Sequence, residues 1–357
     1  MDSNHYIHED YSLETFIENF YESKEDNDKL ISIIKEKRSE SLSEITTIVL
    51  LGEMKFKSVR KLGYKLYYSD PTKLSYTIDN DSISVSDGEY KFSLKKSDAK
   101  NTLVICKSGY KNDMIAFLLN QMIEFGFVVI NSPDAVNIVN DKYLTAELLD
   151  KNEIPQPKYV LVSHSDIHKG DDSELEEKLK HIYKKIDDET KFVCKILNGH
   201  GGRGVFLCRK FNIMSVLQCL FAINEEVMIL VQEYKEIEDG DIRVHVITLN
   251  GKQEIVSASM RKKSSSDFRT NLSLGNDMED NITLTSEQKT LALKAAKVSG
   301  LVWAGVDILH CKDGSDVVLE INGAPGPPSP INGDKDELEK MNEKFYQKII
   351  DTVNKLC

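Results

Sequence analysis

The sequence lacks the features that mark membrane, secreted and nucleic-acid-coating proteins. No apolar stretch among the 357 residues approaches the roughly 20 residues that a membrane-spanning helix needs. The amino terminus, MDSNHYIHEDY, has neither the basic nor the apolar region of a signal peptide, so we do not expect secretion. The chain has 46 basic and 58 acidic residues, and its net charge of −12 disfavours binding along a nucleic-acid backbone. We therefore expect neither a membrane nor a nucleic acid as a partner.

Cysteine and proline are also scarce. The six cysteines include no C-x-x-C pair and follow no disulfide-framework spacing, which predicts a reduced, cytoplasmic protein with inert thiols. With 8 prolines, 40% hydrophobic and 29% charged residues, the composition is typical of globular domains rather than of disordered or collagen-like chains. The length of 357 residues predicts two or three such domains.

Hydrophobic patterns predict short strands and amphipathic helices after an acidic segment. Residues 1–45 have the composition of an acidic helical extension. Strand-like runs, a hairpin at Asp87-Gly88 and a helix ending at Gly126 then predict a small open α/β domain over residues 46–135. Further helices are expected at residues 141–151, 171–189 and 211–224, and from the capping box of Thr285 and Gln288 to Gly300.

The segment WAGVDILHCKDGSDVVLEING predicts a hairpin that carries two carboxylates. A two-residue turn at Asp313-Gly314 places Asp307 directly opposite Glu320, with both side chains on one sheet face. Asn322 joins that face because side chains alternate with a period of two. Two carboxylates and an amide oxygen are ligands that suit magnesium bound to substrate phosphates. The alternative is a solvated strand face with unrelated charges.

A glycine-rich loop lies between two strand-like runs in KFVCKILNGHGGRGVFLC. Gly199, Gly201, Gly202 and Gly204 would let backbone N–H groups approach an anion, with Lys195 supplying a charge from the preceding strand. A dinucleotide fingerprint would need a helix after the loop, where VFLC instead predicts a strand, and no G-K-[ST] follows for a P-loop. We therefore expect a hairpin lid over phosphates, with a ligand-free glycine turn as the alternative.

Basic residues cluster after the next strands, in an otherwise acidic chain. In DIRVHVI, one strand face is predicted to carry Asp241, Arg243 and His245. The segment MRKKSSSDFRTNLSLG then contains Arg261, Lys262, Lys263, Arg269 and Asn271. Local positive charge is what a triphosphate or acyl-phosphate site requires, although a solvated basic loop would also explain it.

Taken in order, these segments resemble the ATP-grasp superfamily, and more narrowly the RimK-type carboxylate–amine ligases. The resemblance spans about Val128 to Pro328. It rests on five blocks: VVINSPDAVNIVNDKYLTAELLDKNEIPQP, CKILNGHGGRGV, VQEYKEIEDGDIRV, the arginine at 261 followed by DFRTN, and AGVDIL with VLEINGAPG. The implied fold is α/β (α+β), with a small open α/β amino-terminal domain over 46–135, a central lid subdomain over 136–232 and a carboxy-terminal subdomain over 233–357.

The resemblance also implies roles for individual residues. It implies that nucleotide phosphates contact Lys142, Lys195 and a loop of Gly201, Gly202 and Gly204. It places adenine at Glu233 and Tyr234 and ribose at Asp241, with further nucleotide contacts from Arg269, Thr270 and Asn271. Arg261 would be catalytic, beside the reacting phosphate, and the magnesium ligands would be Asp307, Glu320 and Asn322. Two departures from the family pattern are Cys106-Lys107, where Pro-Arg is common, and the proline-rich GAPGPPSP.

The activity that the resemblance implies is ATP-dependent amide-bond formation. A carboxylate would attack the γ-phosphate of ATP, and an amine would then displace phosphate from the acylphosphate. ATP and Mg²⁺, with Mn²⁺ as the alternative ion, are the expected cofactors. The amine would be glutamate or another amino acid, and the acceptor a peptide, a protein terminus or a small carboxylate. Family members often form dimers or tetramers, so a homo-oligomer fits the resemblance. A small-molecule kinase resembling the inositol-phosphate kinases and a non-catalytic ATP-binding module remain the alternatives.

Overall fold

The computed structural model describes most of the chain beyond the amino-terminal segment. The described residues are 44–52, 59, 61–107, 110, 112–167, 173–199, 201–263, 267–270, 278–328 and 334–357. All of them belong to one compact unit, Ser43–Cys357. The predicted helical extension at 1–45 therefore lies almost entirely outside the described residues, and so does Asn271.

Two small sheets form the first part of this unit. A four-stranded parallel sheet has the order β2-β1-β6-β7, where the strands are β1 (Thr47–Leu51), β2 (Lys65–Ser69), β6 (Thr102–Cys106) and β7 (Val128–Ile130). An antiparallel sheet contains β3 (Ser75–Ile78), β4 (Ser82–Ser86) and β5 (Lys91–Lys95). Strands β6 and β7 are buried along their whole length, as expected for parallel strands that are covered on both faces.

Two antiparallel sheets follow. The first has the order β10-β9-β11-β8, from β8 (Tyr159–Val162), β9 (Lys191–Ile196), β10 (Val205–Arg209) and β11 (Ile229–Glu233). The second has the order β14-β13-β12-β15-β16, from β12 (Ile237–Leu249), β13 (Lys252–Lys262), β14 (Met278–Asp280), β15 (Trp303–Cys311) and β16 (Asp316–Asn322).

Seven α-helices are described. They are α1 (Asp113–Glu124), α2 (Pro133–Asn140), α3 (Lys142–Lys151), α4 (Ser173–Ile182), α5 (Lys210–Ile223), α6 (Ser286–Val298) and α7 (Lys335–Leu356). Short 3₁₀ helices cover Lys96–Asn101 and His164–Ile167. None of the helices in the described ranges is long and apolar enough to cross a membrane.

Local signals fix several helix ends as predicted. The Thr285 hydroxyl accepts a hydrogen bond from the Gln288 backbone N–H, and the Gln288 side-chain oxygen accepts one from the Thr285 backbone N–H, forming the expected capping box of α6. Gly126 and Gly300 follow α1 and α6 with φ of +93° and +68°, a conformation that glycine adopts without steric penalty. Asp141 caps α3 by accepting from the backbone of the next turn.

One helix prediction needs correction, and two helices were not predicted. The charged helix expected at 171–189 is described only from Ser173 to Ile182, because Asp187 and Thr190 form a local turn before β9. Helix α2 was not predicted, although Ser132 and Pro133 provide a standard start, a capping hydroxyl followed by proline. Helix α7 was also not predicted, despite the capping residue Asp334.

The predicted segment boundaries do not coincide with element ends. The boundary between 135 and 136 falls inside α2, and the boundary between 232 and 233 falls inside β11. The domain division therefore stays a prediction. One buried apolar core extends across the predicted domain boundaries, because it joins the parallel sheet to the inner face of the five-stranded sheet. A second core lies between the four-stranded antiparallel sheet and its helices.

Candidate active site

The predicted carboxylate pair is present on the paired strands β15 and β16. Asp307 lies opposite Glu320, and Gly305 lies opposite Asn322. The route to this register differs from the prediction. Cys311 pairs with Ser315, so the turn has three residues, 312–314, rather than two. The resulting one-residue offset is cancelled by a bulge at Leu319, where the register shifts back before Glu320.

The three predicted metal ligands converge within hydrogen-bonding distance. The Asn322 Nδ2 atom lies 3.4 Å from Asp307 Oδ2 and 3.2 Å from Glu320 Oε1. Burial raises the pKa of Glu320, and the neighbouring Asp307 carboxylate raises it further. A cation placed between these oxygens would relieve that repulsion, with Asn322 presenting its amide oxygen. The set consists of hard oxygen donors and fits a magnesium-type ion, while the described residues contain no cluster of three or more histidine, cysteine, aspartate or glutamate ligands.

Two arginines hold the Asp307 carboxylate. The Arg243 Nη2 atom donates to Asp307 Oδ2 at 2.7 Å, and Arg261 Nη2 donates to the same oxygen at 2.6 Å. Burial alone would raise the pKa of Asp307, but the two guanidinium groups outweigh burial and hold it well below its usual range. Asp307 is fully buried, and the two guanidinium groups keep it ionised there. Arg243 was placed on this strand face from the sequence but was not predicted as a site residue.

Arg261 also pairs with Asp241 across strands β12 and β13. The Arg261 Nε atom donates to Asp241 Oδ1 at 2.9 Å, and its Nη2 atom contacts the other carboxylate oxygen. Burial lowers the pKa of Arg261, but Asp307 and Asp241 reverse this and raise it overall. Asp241 is fully buried, and Arg261 binds both of its oxygens, so Asp241 fixes Arg261; the ribose contact of Asp241 stays a prediction.

Two lysines face this cluster from other elements. Lys195, on β9, is buried, and that burial lowers its pKa to about 8, with nearby Lys142 acting in the same direction and Glu320 opposing it. Lys142, in the first turn of α3, donates from Nζ to the Leu197 carbonyl at 3.2 Å and to the Gly199 carbonyl. Both ammonium groups therefore lie beside the glycine-rich loop.

The glycine-rich loop joins β9 to β10 as a hairpin, as predicted. Gly201, Gly202 and Gly204 have φ of +62°, +75° and +71°, which side chains other than glycine rarely adopt. A Cβ atom on Gly204 would lie 2.2 Å from the Ile196 side chain. Arg269 reaches the loop from a distant segment, donating to the Gly202 carbonyl at 2.8 Å. The loop therefore requires glycine for both its backbone conformation and its packing.

The residues predicted at the adenine end lie where β11 leaves the sheet. The Glu233 carboxylate is 2.9 Å from Lys235 Nζ, and the Tyr234 backbone N–H donates to the Tyr183 hydroxyl at 3.0 Å. Burial raises the pKa of Tyr183 to about 12. Tyr183 was not predicted, because it follows a helix some fifty positions earlier and no local pattern connects it to this strand end.

One cleft collects most of the predicted residues. Its lining includes Lys142, Lys195, Gly201, Gly202, Glu233, Tyr234, Asp241, Arg261, Arg269, Thr270, Glu320 and Asn322. Asp307 lies directly beneath, bound to Arg261, and Gly204 completes the loop. Apolar side chains from Val193, Ile237 and Leu319 also line the cleft. The arrangement combines a cationic, glycine-covered end with an apolar end, as binding of a nucleoside triphosphate would require.

Comparisons with known proteins identify the family of this chain. Residues 139–333 match the family of the RimK-like ATP-grasp domain. A probable alpha-L-glutamate ligase of Vibrio atlanticus is 31% identical over 233 residues, covering 65% of this chain and 71% of the relative. The tetrahydromethanopterin:alpha-L-glutamate ligase of Methanocaldococcus jannaschii is also 31% identical, over 230 residues, covering 63% of this chain and 71% of the relative.

Solved structures show the same fold at lower sequence identity. The ATP-grasp ligase PsnB, complexed with a minimal precursor, Mg and ADP, has a TM-score of 0.57 and 17% identity, covering 86% of this chain and 99% of that structure. D-alanyl-alanine synthetase A from Vibrio cholerae has a TM-score of 0.57 and 14% identity, covering 87% of this chain and 98% of that structure. The family match spans more than half of the 357 residues. The chain belongs to the RimK-like family of ATP-grasp ligases.

Proposed function

We propose that the protein uses ATP to join the amine of L-glutamate to a carboxylate of an acceptor, through an acylphosphate. The observation that carries this proposal is the meeting of Asp307, Glu320, Asn322 and Arg261 beside the glycine-rich loop. The amino acid is taken from the relatives, which are named alpha-L-glutamate ligases. The acceptor class remains a carboxylate on a peptide, a protein terminus or a small molecule.

In the first step, an acceptor carboxylate oxygen bonds to the γ-phosphorus of ATP, and the bond to the β–γ bridging oxygen breaks to release ADP. Lys142, Lys195 and the glycine-rich loop would bind the phosphates, and adenine would lie at the apolar end beside Glu233 and Tyr234; the shared lining of one cleft supports this. Arg261 is placed to bind the transferring phosphoryl group, because Asp241 and Asp307 fix its guanidinium.

In the second step, the amine nitrogen bonds to the acyl carbon and phosphate leaves, with a proton released from the nitrogen. Arg261 can also stabilise the tetrahedral oxyanion, since its buried guanidinium stays charged. Asp307, Glu320 and Asn322 would hold magnesium, which neutralises phosphate charge when bound. The chain's own contribution is to orient the reactants and to supply fixed positive charge.

The test is an ADP-release assay with ATP, Mg²⁺, L-glutamate and a panel of carboxylate acceptors, followed by mass spectrometry of the products. With an acceptor whose carboxylate carries ¹⁸O, we expect one labelled oxygen in the released phosphate, because that oxygen bonds to phosphorus in the acylphosphate. Phosphate without label would contradict this intermediate. ADP formation without an amine, with the γ-phosphoryl group retained on the product, would instead identify a kinase.

A further inference from the structure

A lysine from the parallel sheet reaches the far side of the carboxylate cluster. Lys107 directly follows β6, and its Nζ atom donates to the carbonyl of Pro325, just beyond β16. Gly305 connects this contact to the site, because a Cβ atom there would lie 2.7 Å from Pro325 and 3.3 Å from the Arg243 side chain. A chain of neighbours therefore leads from Lys107 through Pro325 and Gly305 to Arg243, which binds Asp307.

A tryptophan holds this lysine in place. The Lys107 Nζ atom lies 3.9 Å from the ring centroid of Trp303, the single tryptophan of the chain. The indole N–H donates to His245 Nδ1 at 3.2 Å. The Asn131 side chain accepts from the Trp303 backbone N–H at 2.8 Å and donates to its carbonyl at 2.7 Å. Trp303 is fully buried, so it forms a rigid support for the ammonium group.

The ammonium group of Lys107 has no ionic partner of opposite sign among the residues that the structure describes. A carbonyl and an aromatic ring are its contacts, and the charged or titratable groups beside it are Arg243, His245 and the Cys106 thiol. Burial lowers the pKa of Lys107 to about 7; Cys106 opposes this shift and Arg243 adds to it. A carboxylate is the ligand that this environment lacks.

We propose that Lys107 binds a carboxylate of the amino-acid substrate that is not activated during the reaction. The inference rests on the proposed function, because it assumes that the amine is carried by an amino acid. The position fits, since Lys107 approaches the cluster from the side of Arg243 and Pro325, whereas Lys142, Lys195 and Arg269 contact or line the glycine-rich loop. Nucleotide and amino acid would thus be bound by separate sets of cations.

The test measures steady-state kinetics with L-glutamate as the probe for Lys107→Met, Lys107→Gln and Lys107→Arg. We expect the KM for L-glutamate to rise roughly 10- to 100-fold in the two neutral variants, since a hydrogen bond to a charged group is lost. The KM for ATP should change less than about twofold, and Lys107→Arg should restore part of the loss because it keeps the charge. Lys65→Met is the matched control, since Lys65 also lies over an aromatic ring, 4.8 Å from the centroid of Tyr67.

Trp303 emission provides a second readout that needs no turnover. L-glutamate should produce a saturable change in emission in the wild type and in Lys65→Met, and no change in Lys107→Met, because Trp303 is the single tryptophan and contacts Lys107. L-glutamine and L-isoglutamine each remove one carboxylate. One analogue should bind the wild type more weakly than L-glutamate does, but bind Lys107→Met as well as L-glutamate does. The carboxylate that this analogue lacks is the one that contacts Lys107.

An unchanged L-glutamate KM in both neutral variants would overturn the assignment of Lys107. Failure of L-glutamate to bind the wild type would also overturn it as stated. In that case, ATP-dependent amide formation with another amino acid would keep the proposed ligase activity, whereas a lack of any product would reject both proposals. Should Lys107→Met fail to fold, Lys107→Gln and Lys107→Arg still separate the KM for L-glutamate from the KM for ATP.

Discussion

Two hairpins border the cleft, and they are built in opposite ways. The hairpin of β9 and β10 carries its glycines in the loop that lines the cleft, and Phe206 and Leu207 on β10 are 42% and 37% exposed. The hairpin of β15 and β16 has its turn glycine, Gly314, at the end away from Asp307, and nearly all of β15 is buried. The β9–β10 hairpin therefore presents backbone groups from a glycine loop. The β15–β16 hairpin presents side chains from buried, paired strands.

This difference matches two tasks of the phosphoryl transfer that we propose. Backbone N–H groups on glycines can follow the shape of a phosphate chain, and a loop with little side-chain packing can open for nucleotide exchange. Carboxylates that orient charge at the reacting phosphate must keep their positions, and Arg243 and Arg261 hold Asp307 accordingly. Substitutions in the β15–β16 hairpin should therefore lower kcat. Substitutions in the β9–β10 hairpin should weaken nucleotide binding.

The largest effect is expected from removing Glu320. We expect Glu320→Ala to lower kcat by about 10³-fold or more, because one of the two carboxylates that would hold the charge-neutralising magnesium ion is lost. The fold should survive, since the Glu320 side chain is only partly buried. Its raised pKa also shows that the ionised carboxylate is disfavoured by burial beside Asp307, so its removal relieves a repulsion. ADP release and thermal unfolding are measured on the same preparation.

Glu279→Gln is the control for Glu320→Ala. Glu279 lies on β14 in the same sheet, and its exposed carboxylate is 3.5 Å from Lys262 Nζ. An exposed pair of this kind contributes little, so activity and stability should be unchanged. A well-folded Glu320→Ala protein with wild-type kcat would count directly against the assignment of Glu320.

The next largest effect is expected in the glycine-rich loop. Gly204→Ala places a Cβ atom 2.2 Å from the Ile196 side chain at a φ of +71°. We expect the loop to shift and the KM for ATP to rise by roughly tenfold or more, with a smaller change in kcat. A fall in kcat of the same size, roughly tenfold or more, with an unchanged KM for ATP would contradict the assignment of nucleotide binding to this hairpin.

The sequence predicted the local parts of both hairpins better than their connections. The glycine spacing and the apolar runs predict β9 and β10 because turn and strand preferences act over a few residues. The pairing of Asp307 with Glu320 was predicted from a two-residue turn, and it is correct because the three-residue turn and the bulge at Leu319 offset each other. A bulge has no reliable signature in a single sequence.

Contacts between distant segments could not be predicted from local pattern. Lys107 and Pro325 are 218 positions apart, and Asn131 and Trp303 are 172 apart, yet both pairs support the site. Such pairs depend on how the parallel sheet and the five-stranded sheet pack together. Family resemblance implied roles for individual residues, including Arg261, but it did not indicate that Arg243 and Arg261 share Asp307.

A moderate effect is expected from pH on ATP binding. Lys195 has its pKa lowered to about 8 by burial, so the free protein loses this charge as the pH rises above 8. Bound phosphate favours the ammonium form and raises its pKa, so ATP affinity should be constant below pH 8 and fall by at most about tenfold per pH unit above it. The dissociation constant of ATP is measured by calorimetry from pH 6.5 to 9.5.

Lys195→Arg sharpens this prediction. Arginine stays protonated across this range, so the variant should bind ATP with a flatter pH profile, even if its affinity is lower throughout. A wild-type profile that is flat from pH 7 to 9.5 would show that the Lys195 charge does not contribute to binding. A slope that is identical in both proteins would assign the titration to another group.

The smallest effect is expected at the turn of the β15–β16 hairpin, and it completes the comparison of the two loops. Gly314 has a φ of +81°, similar to the +71° of Gly204, but a Cβ atom there would meet nothing within 4 Å. Gly314→Ala should therefore lower the free energy of unfolding by about 1 kcal/mol, through backbone strain alone, and leave kcat and the KM for ATP unchanged. Chemical denaturation and steady-state kinetics measure the two quantities. Loss of activity in Gly314→Ala would mean that strain in this turn reaches Glu320 through the bulge at Leu319, and that the register of the carboxylates is less rigid than their burial indicates.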